Sequence, residues 1–192
     1  MNDAGVIGHP LILGDATTTR SREDADLVRT AQGGDRAAFG LLYERYGPMV
    51  HGVLLARVPW EHVDDLVQDV FLTALERLAT LRTPAAFGAW LAAIARNRAT
   101  DHHRRERPQD RVEVADLPAV APEPGGEAAA ILALIRTLPE AYREPLTLRL
   151  VEGMTGPEIA ARTGLTVGSV RVNLHRGMKH LRERLALSRG ER

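Results

Sequence analysis

Residues 112–127, VEVADLPAVAPEPGGE, constrain the fold more than any other stretch of the chain. Three prolines, two glycines and four acids stand there without a single base. Proline at this density removes amide donors and clashes with the preceding turn, so no helix runs through. Few large apolar side chains and a net negative charge favour an open chain. The sequence therefore divides into a flexible tail at 1–22, a helical unit at 23–107, a linker at 108–126 and a second helical unit at 127–187.

The first unit reads as four helices. A short one at 24–32 precedes Gly33-Gly34, after which Asp35 can cap a helix striped by Phe39, Leu42, Tyr43, Tyr46, Val50, Val53 and Leu54. A third carries Val63, Leu66, Val67, Val70, Phe71, Ala74, Leu75 and Leu78 on one side. Its other side presents Asp64, Asp65, Gln68 and Asp69. Thr83-Pro84 offers a cap followed by proline at a helix start. The helix beyond buries Phe87, Trp90, Leu91 and Ile94, then runs out into Arg96, Asn97, Arg98, His102, His103, Arg104 and Arg105.

The second unit is more specific. Leu138-Pro139-Glu140 opens a helix that Glu152-Gly153 stops. Thr155 and Glu158 have the spacing of a capping box for a short helix ending at Gly164. Thr166 then caps a helix from Val167. A short helix, a tight glycine turn and a second helix make a helix-turn-helix, whose inner seam is Ile159, Ala160, Leu165, Val170 and Leu174, extended by Leu181 and Leu185. The outer face of the second helix carries Ser169, Val172, Asn173, His175, Arg176 and Lys179. Arginine and asparagine there suit guanine and adenine edges in a DNA major groove. The expected fold is all-α, with two helical domains and the helix-turn-helix in the second.

A formal net charge of zero argues against a nucleic-acid binder only until its distribution is read. Six bases stand against Glu183 alone between Arg171 and Arg189, and six arginines against three acids between Arg96 and Arg111. Such segregation makes the local field matter more than the sum. Aromatics are few and mostly on core stripes, leaving little to stack on unpaired bases. The absence of cysteine excludes disulfides and thiolate chemistry and fits a cytoplasmic location. Residues 1–19 have no basic lead and are interrupted by Gly8, Pro10 and Gly14, which reads as a tail and as neither signal peptide nor membrane insertion. His102 and His103 are adjacent, so on a helix they diverge by about 100° and cannot share a metal. No catalytic motif is present; no catalytic residue, metal or cofactor is expected.

The stretch LPEAYREPLTLRLVEGMTGPEIAARTGLTVGSVRVNLHRGMKHLRERL at 138–185 resembles region 4 of the sigma-70 family in its extracytoplasmic-function subgroup. DDLVQDVFLTALERL at 64–78 and FGAWLAAIARNRATDHHRRER at 87–107 resemble region 2 of the same subgroup. The resemblance implies a factor that binds core RNA polymerase and directs it to promoter DNA. It assigns Asp64, Asp65, Gln68 and Asp69 to docking on the polymerase clamp, which suits an acidic helix meeting a basic one. The loop at 81–86 matches the one that takes a flipped promoter base. Arg82, Asn97, Arg98, Arg104 and Arg105 are thereby expected at the −10 element. Arg171, Val172, His175 and Arg176 match the face reading the −35 element, with Ser169, Asn173 and Lys179 beside them. Leu81-Arg82 and Val172-Asn173 depart from the aromatic or second arginine common among members, so base preferences do not carry over. The resemblance also implies an anti-sigma factor as partner.

Two rivals come from other classes. A stand-alone helix-turn-helix regulator with a sensing or dimerising first unit would bind operator DNA without polymerase. A helical enzyme with a DNA-binding tail would need a convergent polar pocket, and none can be assembled from these residues.

Overall fold

The computed structural model describes residues 12–106 and 126–190, all of whose regular elements are helical. The linker assigned to 108–126 lies outside them except for Gly126, and so do residues 1–11.

Four helices build the first unit: α1 (Ile12–Gln32), α2 (Arg36–Leu55), α3 (Val63–Arg77) and α4 (Phe87–Glu106). Helix α1 is longer than the segment 24–32 read from the sequence and takes in part of the expected tail. Its packed end, with Ala25, Val28 and Ala31 buried, supplies the nucleus, and extension toward the N-terminus needs only propagation. Asp35 caps α2 by accepting from the amides of Ala37 and Ala38 at 2.8 and 3.1 Å. Thr83, by contrast, makes no capping bond; Pro84–Ala86 forms a 3-10 turn and α4 starts at Phe87. The apolar stripes mostly point inward, with Leu42, Tyr46, Val50, Val67, Val70, Phe71, Phe87 and Leu91 buried. Tyr43 is an exception, 42% exposed and lying against Phe71 with ring centroids 4.4 Å apart. It is therefore a surface aromatic, as is Trp60 at 47%.

The second unit contains α5 (Gly126–Arg136), α6 (Glu140–Leu150), α7 (Gly156–Thr163) and α8 (Val167–Gly190). Thr155 and Glu158 form a complete capping box on α7. Gly164 closes the helix at φ 78°, a left-handed conformation that glycine adopts without a Cβ penalty. The turn then passes to Thr166, whose hydroxyl accepts from the amide of Ser169 at 3.0 Å and caps α8.

The two units share a core. Leu132, Leu148, Met154, Ile159, Ala160 and Val170 belong to the same buried cluster as Val28, Leu42, Val53, Phe87 and Leu91. A smaller cluster of Ile135, Leu138, Leu146 and Leu181 belongs to the second unit alone. Helices approach closely where the units meet: a Cβ on Gly88 would lie 2.8 Å from the Arg162 carbonyl and 2.9 Å from the Tyr46 ring. The helix-turn-helix seam thus packs partly on the first unit.

Candidate nucleic-acid interface

Three surfaces carry the residues singled out from the sequence. Asp64, Asp65, Gln68 and Asp69 are all exposed on α3, opposite buried Val63, Val67 and Val70. Beside them lies Leu72, 60% exposed, which the sequence reading missed. A leucine at i+3 from Asp69 and i+7 from Asp65 shares their face, and its exposure was the only available signal. The surface is acidic with an apolar element at its edge.

The second surface lies along α4 and the loop before it. Arg82, Asn97, Arg104 and Arg105 are exposed. Arg98 is not grouped with Asn97: it is half-buried, and its Nη2 donates to the Thr73 hydroxyl of α3 at 2.7 Å. Adjacent helical residues diverge by about 100°, which sends Arg98 to the α3 side. The loop's first residue, Leu81, is buried, and its carbonyl accepts from the Gln32 amide nitrogen at 2.8 Å. Pro84 and Ala85 line a small cleft with Arg20, Tyr46, Glu158 and Arg162, so this loop and α7 face each other across it.

The third surface is the outside of α8. Ser169, Arg171, Val172, His175, Arg176 and Lys179 are exposed, Asn173 is half-buried, and Val170 between them is fully buried. Burial of Val170 fixes the helix rotation and turns the basic side outward.

Charged and polar contacts hold the units together. The Glu144 carboxylate of α6 accepts from Arg96 Nε at 3.0 Å and Nη2 at 2.7 Å, and pairs with Arg57 at 2.8 Å. Arg162 of α7 reaches the Arg45 carbonyl and stands over the Tyr46 ring at 5.2 Å. Tyr46 donates to Asp24 at 2.8 Å, and burial with the nearby Asp24 charge pushes its phenol well above the ordinary value. At the far edge His51 meets Glu152 at 2.7 Å.

That last contact carries a pH dependence. The hydrogen bond to Glu152 raises the His51 imidazole above its ordinary value, helped by the charges of Glu152 and Asp64 and opposed by partial burial. A raised folded value makes the contribution full below the ordinary imidazole pKa and loses it as pH climbs through the raised one. Thermal stability should therefore fall as pH rises across that window. Glu152→Gln should flatten the slope; an unaltered slope in that variant would assign the dependence to other groups.

Residues 42–109 match the family Sigma-70 region 2, and residues 128–181 match Sigma-70, region 4. The chain belongs to the sigma-70 family, in its extracytoplasmic-function subgroup. The ECF RNA polymerase sigma factor BldN of Streptomyces coelicolor is 33% identical over 177 residues, covering 86% of this chain and 67% of that protein. The ECF RNA polymerase sigma-E factor of Escherichia coli K12 is 33% identical over 172 residues, covering 80% and 89%. A solved structure of CnrH in complex with the cytosolic domain of CnrY matches with a TM-score of 0.61 at 30% identity, covering 85% of this chain and 97% of that one. The sigma factor is thus a promoter-recognising transcription initiation factor; its region 2 match begins within α2, leaving α1 outside, and its region 4 match falls within the second helical unit. Among the described residues no helix is long and apolar enough to cross a membrane.

Proposed function

We propose that the three surfaces divide the work of initiation. The acidic face of α3, with Leu72, docks on core RNA polymerase. Arg82, Asn97, Arg104 and Arg105 meet the −10 element, with Arg98 acting from its place against Thr73. The outer face of α8 reads the −35 element through Ser169, Arg171, Val172, Asn173, His175, Arg176 and Lys179. The reading assigns no catalytic step to the chain and places its action in the cytoplasm, where polymerase works.

The observation that carries the reading is the rotation of α8. Val170 is fully buried while the basic side chains around it stand in solvent on a helix capped by Thr166. A second helix of a helix-turn-helix needs this arrangement to enter a major groove. The test is run-off transcription with core polymerase on a promoter library. Wild-type chain should confer selectivity at two separated elements, and DNA binding by the chain alone as a symmetric dimer would favour the regulator instead. Arg176→Ala should cost about 1–3 kcal/mol and relax preference at one −35 position if the contact is to a base. A uniform loss over all sequences would make it a phosphate contact, and no loss would reject the orientation of α8.

The chain is held inactive by an anti-sigma factor in this reading. Such a partner must compete with polymerase for the face at 64–69. Support comes from the solved relative held by the CnrY cytosolic domain. Core polymerase titrated against a purified complex from the native host should displace whatever co-purifies. Activation of the isolated chain by a metabolite would replace the partner with a sensing role for region 2.

A further inference from the structure

We infer that Arg57 and Arg96 form a phosphate seat for promoter DNA on region 2, and that Glu144 of region 4 fills this seat while the two regions are packed together. The inference rests on the promoter-binding reading above and adds two residues and a closed state to it.

The geometry is that of an anion site. One carboxylate takes two parallel bonds from Arg96, at 3.0 and 2.7 Å, and a third contact from Arg57 at 2.8 Å. Fork-shaped guanidinium binding suits carboxylate and phosphate oxygens alike. The Glu144 side chain is only 5% exposed, so its charge is compensated chiefly by these two arginines. Within region 2, Arg57 is steadied by donating to the Val53 carbonyl at 3.2 Å, whereas the bond from Arg96 to the Thr163 carbonyl of α7, at 3.2 Å, leaves with region 4.

The source of the negative charge decides the argument. The acids that raise the Arg96 pKa are Glu144 and Glu140, both on α6. The ion pairs of Arg57 among the described residues also go to Glu140 and Glu144. Among the described residues, region 2 therefore supplies two cations and no paired acid of its own to this spot. When the regions separate, as binding at two promoter elements requires, both guanidiniums lose their counter-ion together. The uncovered pair is then a ready seat for another anion, and the location favours DNA. His103, seven residues on from Arg96 and so about 20° from it around α4, is exposed and donates to the Arg57 carbonyl at 2.8 Å, so the seat lies on the flank of α4 that runs to His103. That flank continues the basic end of α4.

The same contact sets a threshold. Glu144 competes with DNA for the seat, and apparent promoter affinity is lowered by the fraction of chains held closed. Removing the carboxylate and removing the arginine must then act in opposite directions, which a purely structural ion pair would not do.

The experiment uses the full chain and the holoenzyme made from it. The chain has no cysteine, so Ala79→Cys and Ala186→Cys accept a fluorophore pair that reports separation of the regions. Glu144→Gln and Arg96→Gln should each lower transfer efficiency in the free chain. On a promoter fragment with holoenzyme, Glu144→Gln should strengthen binding several-fold. Arg96→Gln should weaken it and reduce the slope of log affinity against log salt by about 1. If both variants strengthen binding with the slope unchanged, Arg96 is a latch only and the phosphate seat is rejected. If Arg96→Gln lowers affinity for core polymerase without DNA, the seat takes an acidic surface of polymerase, which equally overturns the inference. Absence of promoter-specific complexes with wild-type chain would instead strike the underlying reading.

Discussion

Phe87→Ala should destabilise the protein by about 3–5 kcal/mol. Phe87 is 1% exposed at the first turn of α4, with its ring edge-on to Tyr46 at 5.1 Å and tilted to Trp90 at 5.9 Å. Loss of the ring removes its transfer free energy and leaves a cavity within the buried cluster. Because one buried cluster spans both regions, the loss should appear as a downward shift of the whole melting transition. For a unit of this size each kcal/mol moves the midpoint by about 2–4 °C, so a fall of roughly 6–20 °C is expected. Phe87 also directly follows the turn Pro84–Ala86. A looser anchor there should weaken selectivity at −10 before it touches −35. A loss under ~1 kcal/mol by calorimetry would mean that the ring is not part of the core.

What the sequence disclosed and what it withheld follow from the range of the interactions. Asp35, the Thr155–Glu158 box, Gly164 and Thr166 were legible because a cap or turn is decided within four residues. Heptad-like stripes on α2, α3 and α4 were legible for the same reason, since burial of one face repeats with the helix period. Tyr43 was misassigned because periodicity marks which residues share a side, while the edge of the buried zone depends on the neighbouring helix. Arg98 was grouped with Asn97 as a neighbour in sequence, though adjacent helical positions face apart. The start of α1 was lost because its outer turns carry no apolar stripe of their own. Hardest of all was the contact between regions. Arg96 and Glu144 are 48 residues apart, on opposite sides of the linker. Each reads as an ordinary surface charge until the helices are placed.

The site itself was partly legible. The outward side of α8 could be deduced by excluding its apolar seam, and the acidic side of α3 likewise. Leu72 escaped because a lone exposed leucine has no pattern, and scattered surface leucines are ordinary. Its meaning comes from the company of Asp65 and Asp69 on the same side of α3.

Those two acids carry the second large prediction. The double substitution Asp65→Lys and Asp69→Lys should reduce affinity for core polymerase by at least about a hundredfold, because reversed charges facing a basic partner cost several kcal/mol. Stability should change far less, since both side chains are exposed and surface substitutions usually stay within about 0.5 kcal/mol. Asp65 lies in the first turn of α3, where a negative charge favours the helix dipole and a positive one opposes it by about 0.3–1 kcal/mol. Asp69 lies beyond that turn and is free of the effect. Asp69→Lys alone therefore separates docking from helix stability, and Asp65→Asn removes the charge without reversing it. Leu72→Ser tests the apolar edge independently and should weaken binding with little change in salt dependence, whereas the charge variants should flatten it. If core polymerase binds the double variant as tightly as wild type while the melting midpoint is unchanged, the acidic face is merely solvated. Docking would then have to be sought on another face of region 2.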